Sequence, residues 1–420
     1  MSKQHPLTLI TPVRKERIAD LYNRLESIRK NLHAGTEKEF KKATTIHYAR
    51  WFLLNRESFR DEPAIPVQDR LVFSSNYDGD MDAHLTELST ELAGYIDQLY
   101  DCCEGYPEPG NRTPENRKKY LEQWHIHTAA FFVGAPGRTL LQIQQEKKLR
   151  DKICGFILKN NWKEKPAVEI HRAIRKEVDA DPDLAWSKQK AVLPGIKWFV
   201  LFAYGLLILV VSPFMILWIL YLFFFHELRD KFKPTTLSQL DDNKVRRLEE
   251  DEDLFPQNQF TQVAVMKPGI VRQLNFRIWM LRTKVLASKM FVKGKLLNIP
   301  TIHFARWVLF DDKKHVLFFS NFDGSWQQYL GDFIDQSGWG LSGIFSNTAN
   351  FPSTRFMVTG GAYDAEHFLA WSRSTQIPTQ VWYCPYPDLS IKNINNNTQI
   401  RNELRENLNE KQAQLFLKRF

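Results

Sequence analysis

The chain has 420 residues, 43% hydrophobic and 25% charged, with 30 Phe, 12 Trp and a formal net charge of +9. This length accommodates two domains of ordinary size, and the composition excludes collagen-like, low-complexity and disordered classes. The positive charge suits an anionic surface, but Lys and Arg are spread over many segments and no zinc-finger or RNP-like motif accompanies them, so nucleic acid is not an expected partner.

In chain order, an apolar strand over 7–11 runs into Pro12. Ile18, Leu21, Leu25 and Ile28 follow at helical spacing. Strands over 45–54 and 70–75 come next, then a helix after the Asp78-Gly79 turn and a last strand over 128–133. A helix over 166–178 is amphipathic and leads to an uncharged run from Trp198 to Phe225. An acidic connector over 240–259 precedes a second series: a strand over 260–266, and a helix with Leu274, Ile278, Leu281 and Val285 on one face. Strands over 301–310, 315–320 and 355–359 complete it. From Thr398 on, Ile400, Leu404 and Leu408 recur at every fourth position, an amphipathic C-terminal helix over 391–420 that packs on its own domain or touches lipid or a neighbouring copy.

The two series are one unit written twice. "TIHYARW" at 45–51 recurs as "TIHFARW" at 301–307, and the constant offset extends back to Pro12 and Pro268. "LVFSSNYDGD" at 71–80 recurs as "VLFFSNFDGS" at 316–325, after a shorter hairpin loop in the second copy. Each copy reads β-α-β-β-α-β, a sheet with helices on one face whose bare face needs a partner. Along 45–54, His47, Ala49, Trp51 and Leu53 alternate with Ile46, Tyr48, Arg50 and Phe52, so both faces are largely apolar. Two sheets packed against each other satisfy that pattern.

In this topology the chain resembles the dimeric α/β-barrel superfamily, of which the dye-decolourising peroxidases are a tandem-repeat branch. The resemblance implies an α+β fold of two ferredoxin-like βαββαβ repeats packed sheet to sheet as an α/β barrel, with a hydrophobic membrane segment inserted. The corresponding segments are a first repeat at 1–136, a helical connector at 137–197, a membrane segment at 198–225, a basic then acidic linker at 226–258, and a second repeat at 259–390.

A straight helix over the apolar run would be about 42 Å long, enough to cross the roughly 30 Å hydrocarbon core with tilt. One crossing would separate two copies that belong to one barrel. A re-entrant hairpin bent near Ser212-Pro213 keeps them on one side, and is favoured over a single span. Trp198, Pro213, Trp218, Phe223, Phe224 and Phe225 would then meet lipid. Lys188, Lys190 and Lys197 before the run, and Arg229, Lys231 and Lys233 after it, place both ends in the cytoplasm. The N-terminal stretch lacks the apolar region of a signal peptide. Cys102, Cys103, Cys154 and Cys384 make no CxxC pair or disulfide framework, as expected for a reducing compartment.

Candidate site residues come from the duplicated positions. Asn76, Asp78 and Gly79, like Asn321, Asp323 and Gly324, read as a turn that caps the next helix or faces a ligand. The peroxidase G-x-x-D-G motif is matched only in its last two letters, with Ser75 and Ser320 where its first Gly would stand. A haem would need a histidine ligand, for which His84 and His367 on helices are the candidates. His47 and His303, beside Trp51 and Trp307, read as core residues or ligand contacts. Arg50 and Arg306 lie mid-strand on an apolar face and need partners, either Asp78 and Asp323 or an anionic ligand. His125 and His127 share a strand face, but no third group stands at metal spacing, so no metal site is expected. Three functions follow: a self-assembling membrane module without strong catalysis, a haem-dependent peroxidase-like oxidoreductase using Asp78, Asp323, Arg50 and Arg306, or a sensor of a small anion.

Overall fold

The computed structural model describes residues 3–59, 67–291, 294–296 and 298–420. Strands β1 (Gln4–Pro12), β2 (Ile46–Leu54) and β3 (Arg70–Asp78) enclose α1 (Ile18–His33) between the first two, and α2 (Met81–Thr90), α3 (Ala93–Tyr100) and α4 (Pro114–Gln123) follow. β4 (Thr128–Val133) leads into α5 (Leu140–Lys159), α6 (Ala167–Asp179) and α7 (Trp198–Phe225). After α8 (Asp242–Glu249) come β5 (Gln257–Val265), α9 (Ile270–Lys289), β6 (Ile302–Phe310), β7 (His315–Asp323) and α10 (Trp326–Phe345). A two-residue hairpin of β8 (Thr354–Arg355) and β9 (Thr359–Gly360) precedes α11 (Ala365–Thr375), β10 (Val381–Tyr383), α12 (Ile391–Glu403) and α13 (Glu410–Leu417). The fold is α+β, with antiparallel sheets and one long apolar helix.

The two main sheets run β1-β3-β2-β10 and β4-β6-β7-β5. Each takes three strands from one half of the chain and its fourth from the other half. The exchange is matched in register: Phe131 of β4 stands opposite Arg306, and Trp382 of β10 opposite Arg50. The sequence reading kept each final strand in its own half and put the second at 355–359. Only the small hairpin lies there, because Phe356 and Met357 adopt φ of 52° and 62°, away from extended backbone. The aromatic and β-branched triplet Val381, Trp382, Tyr383 pairs instead.

Each sheet is covered on one face by its own helices. Leu21, Leu25, Leu85, Leu88 and Leu99 pack on Leu7, Ala49, Trp51 and Phe73. In the other half Phe276, Trp279, Tyr329 and Ile344 pack on Ala305, Trp307, Val316 and Phe318. The other faces meet: Ile10, Phe52 and Val72 share one cluster with Val263, Val308, Leu317 and Phe319. Each such buried side chain contributes roughly 1.5–3 kcal/mol, so apolar contact dominates this seam.

The C-terminal segment is two helices, α12 and α13, not one. Ile400, Leu404 and Phe416 bury against Leu149, Ile153, Ile170 and Ile174 of α5 and α6, which assigns this segment to the chain's own fold. The hairpin expected at Ser212-Pro213 is absent, and α7 runs unbroken. Pro213 has no N–H for the carbonyl of Leu209, one turn back. The Ser212 hydroxyl donates to that oxygen at 2.8 Å and takes the missing donor's place.

Candidate functional site

The polar residues singled out by the repeat converge on the seam between the sheets. Strict alternation would put His47 beside Trp51, and His303 beside Trp307. A β-bulge between Ile46 and Tyr48 breaks it, and a matching bulge between Ile302 and Phe304 breaks it in the other half. Ile46 therefore joins Ala49 and Trp51 under the helices, and Ile302 joins Ala305 and Trp307. Both imidazoles turn to the opposite side, their ring centroids 5.9 and 6.4 Å from that of Tyr386. His47 Nδ1 lies 2.9 Å from the Tyr386 hydroxyl. Tyr48 donates to Gln257 Oε1 at 2.6 Å beside them.

Each histidine meets the aspartate of its own half. His303 Nε2 is 2.7 Å from Asp323 Oδ1, and His47 Nε2 is 3.1 Å from Asp78 Oδ1, the latter off the hydrogen-bond line. The second oxygen of each carboxylate accepts the first backbone N–H of a helix: Leu140 of α5 at 2.7 Å for Asp78, Ile391 of α12 at 2.8 Å for Asp323. These aspartates do cap helices, but not the ones that follow them in sequence. Asp80 and Ser325 cap α2 and α10. Asn76, Asp78, Asn321 and Asp323 belong to strands, and Gly79 and Gly324, at φ of 94° and 83°, make the turns.

Two glutamines repeat the same logic. Gln4 and Gln257 stand opposite Asp78 and Asp323 in register. Gln4 Nε2 donates to Ala135 O at 3.2 Å and Arg138 O at 2.7 Å. Gln257 Nε2 donates to Tyr386 O at 2.9 Å and to Leu389 O. Each glutamine thus holds the link between an exchanged strand and its helix. Neither glutamine is among the candidates taken from the duplicated positions, and the expected linker ending at 258 takes in Gln257. The repeat does not mark them, because Gln4 stands eight residues before Pro12 and Gln257 eleven before Pro268.

Arg50 and Arg306 do not pair with Asp78 and Asp323, which turn to the histidines of their own halves and to the helix N-termini. Each guanidinium reaches across to the other sheet. Arg50 donates to Phe260 O at 3.0 Å, Thr261 Oγ1 at 2.8 Å, Ser320 O at 3.1 Å and Asn321 Oδ1 at 2.6 Å. Arg306 donates to Leu7 O at 2.8 Å and to Ser74 Oγ. Both lie over the Phe319 ring, at 5.3 and 5.2 Å from its centroid. Burial pushes Arg50 down to about 9. It also pushes Arg306 well below its ordinary value, with the charge of Arg50 adding to the effect. Asn321 Oδ1 also accepts the Trp382 indole N–H at 3.1 Å, whereas Asn76 Oδ1 has no partner among the described residues.

A cavity of about 180 Å³ reaches the edge of this seam at Gln259, Thr379 and Trp382, with Arg29, His33 and Lys41 on its walls. Gln259 Oε1, 3.3 Å from Arg50, stands between the cavity and that guanidinium. Compared with protein-family models, curated proteins and solved structures, this chain has no match. Its chemistry rests on the geometry alone.

For His84, that geometry does not fit a haem. His84 is buried, its Nε2 2.8 Å from Ser75 Oγ and its ring stacked on Tyr77 at 3.8 Å. Burial holds its pKa below the ordinary histidine value, against the opposing pull of Glu87. His367 holds Asp364 at 2.8 Å through Nδ1 and borders a cavity of about 340 Å³ with Phe232, Lys233 and Trp371. Neither Asp78 nor Asp323 lines that cavity. The aspartates that the resemblance would set over a haem are instead bonded inside the seam.

The second candidate surface is α7. Its backbone begins against the end of α9, with Lys197 N 3.4 Å from Lys289 O. Further along, Tyr204 lies within electrostatic reach of Arg282, and Trp218 Nε1 donates to Asn275 Oδ1 at 3.2 Å. Past its end, Asp230 pairs with Arg272 at 2.6 Å and Lys267 at 2.7 Å. The helix therefore lies antiparallel beside α9. Leu201, Tyr204, Val211, Trp218 and Leu222 face the body at heptad spacing, a narrow seam on a helix that is apolar all round. Trp198 is 72% exposed, and Pro213, Phe224 and Phe225 are open as well, while Phe223 stacks on Phe356 at 4.3 Å. Its most apolar window is only 6% buried, and by length and composition it could cross a membrane.

Proposed function

We propose that this chain is a membrane-bound module of two ferredoxin-like repeats, paired as a barrel of the dimeric α/β kind, that self-assembles and whose polar seam is structural. The observation that carries the membrane part is α7: an uncharged helix whose surface is open over all but one narrow seam. Leaving that much apolar area in water is unfavourable by roughly 25 cal/mol per Å², and lipid removes the penalty. The basic residues on both flanks favour the cytoplasmic face. In the seam, each of these histidines, aspartates, glutamines and arginines has a hydrogen bond to another protein group, which supports a role in holding the exchanged strands.

Flotation of the purified full chain with phospholipid vesicles tests this reading. The chain should rise with the vesicles and a Leu209→Lys, Phe214→Lys variant should not. A monodisperse full chain that stays at the bottom of the gradient refutes it. Mass measurement in mild detergent tests the assembly part, which a strict monomer would remove.

A second reading, a sensor of a small anion, is favoured by the two buried guanidiniums, which have no carboxylate partner among the described residues. Phosphate or a small carboxylate should then raise the melting temperature, and Arg306→Met should abolish the shift. No shift with the unmodified chain removes this reading.

A further inference from the structure

We infer that α7 and α9 form a two-helix platform that lies flat in one leaflet of an anionic bilayer, with α9 as a second lipid-contacting element. This rests on the membrane reading above and adds the orientation and the lipid class.

The sequence of α9 carries no long apolar run, and it reads as an ordinary surface helix. In the structure its outward face is Ile270, Leu274, Ile278 and Leu281, exposed by 81%, 47%, 43% and 64%. At about 100° per residue these four lie within one stripe. Asn275, Arg282 and Lys289, the groups that meet α7, project from the flank next to Leu274 and Ile278. Exposed Arg277 and Lys284 project from the opposite flank. Across the surface the order is thus α7, the apolar stripe of α9, then a basic margin. That is the arrangement of an interfacial amphipathic surface, with apolar residues below the headgroups and cations level with anionic lipid.

The same contacts argue against a crossing. Both ends of α7 are tied to one folded body, through Lys197 to Lys289 at the start and Asp230 to Arg272 at the end. Standing α7 upright would carry the neighbouring α9, with Arg277 and Lys284, into the hydrocarbon, where charges are strongly disfavoured. Lying flat, each apolar face meets lipid and each cation stays at the surface.

An environment-sensitive fluorescent amino acid introduced at Leu209 of α7 or at Leu281 of α9 tests this in the full chain. The vesicles are phosphatidylcholine with or without phosphatidylserine, carrying nitroxide lipids labelled near the headgroup or at mid-chain. Shallow quenching at both positions is the expected result. Deep quenching at Leu209 with none at Leu281 overturns the platform and leaves the membrane reading standing. No quenching at either position removes the membrane reading, and a doubled mass would then assign the face to a second copy. Arg277→Gln and Lys284→Gln should each weaken binding to phosphatidylserine vesicles roughly fivefold. Unchanged affinity for those vesicles overturns the basic margin.

Discussion

Replacing Asp323 by Asn keeps the shape of the side chain and removes its charge. Two bonds are at stake, His303 Nε2 at 2.7 Å and the backbone N–H of Ile391 at 2.8 Å. Asn offers one carbonyl oxygen, so one of these donors is left facing an amide NH₂. A hydrogen bond to a charged group is worth about 1.5–3 kcal/mol, and a carboxylate at a helix N-terminus adds about 0.3–1 kcal/mol. The Asp323 side chain is 12% exposed, which leaves water little room to substitute, so the expected loss is about 2–3 kcal/mol. The loss should be local, because Ile391 opens α12 directly after the exchanged strand β10. Hydrogen–deuterium exchange read by mass spectrometry should show peptides over 381–403 exchanging roughly thirty- to a hundredfold faster. Peptides from α4 should be unaffected. Unchanged protection over 381–403, or an equal loss in α4, would refute the role of Asp323 as a tie between halves.

Three further outcomes follow from single features. His84 is held by burial below the ordinary value of 6.5, so the unfolded chain takes up that proton first. Its contribution to stability is complete above pH 6.5 and is lost as pH falls through its lower folded value. His84→Gln should flatten the acid limb of urea midpoints against pH, and an unchanged limb would contradict this. Ser212→Ala should leave the Leu209 carbonyl without a donor, at about 1–3 kcal/mol, and bend α7 there. Spin labels near Phe199 and Phe224 would then report a shorter distance, and an identical distribution would show that the hydroxyl is not needed. Gly343→Ala would set a Cβ 2.0 Å from the Trp279 ring, and overpacking of about 1–3 kcal/mol should lower the melting temperature. Unaltered melting would refute the close packing of Trp279 of α9 on Gly343 of α10.

The repeat made six strands and the helices between them readable, because "TIHYARW" and "SNYDG" each keep all but one letter in the second copy. It did not disclose where the fourth strands go. The matching segments "AFFVGAPGRTLLQI" and "VWYCPYPDLSIKNI" share only Pro136 with Pro387 and Ile143 with Ile394, and partner choice between distant strands leaves no local period. The site residues were found and their grouping was not. One inserted residue at each bulge reverses every face assignment before it, so His47 and His303 could not be placed by alternation. Aspartate paired with histidine instead of arginine for the same reason: reach across the seam is set by the bulge and not by spacing. On α7, proline pointed to a break that the helix does not make.

The strand exchange also bears on how this protein is made. Trp51 gains its edge neighbour Val381 only when nearly the whole polypeptide has left the ribosome. Until then the first sheet has an open edge, and the most apolar segment of the chain emerges before that edge is closed. Loop closure over such a span is slow. Neither half has a complete sheet of its own, so a fragment ending before α7 should not behave as an autonomous domain. Early contact of α7 with a membrane would hold the unfinished first half beside the surface while its missing strand is synthesised.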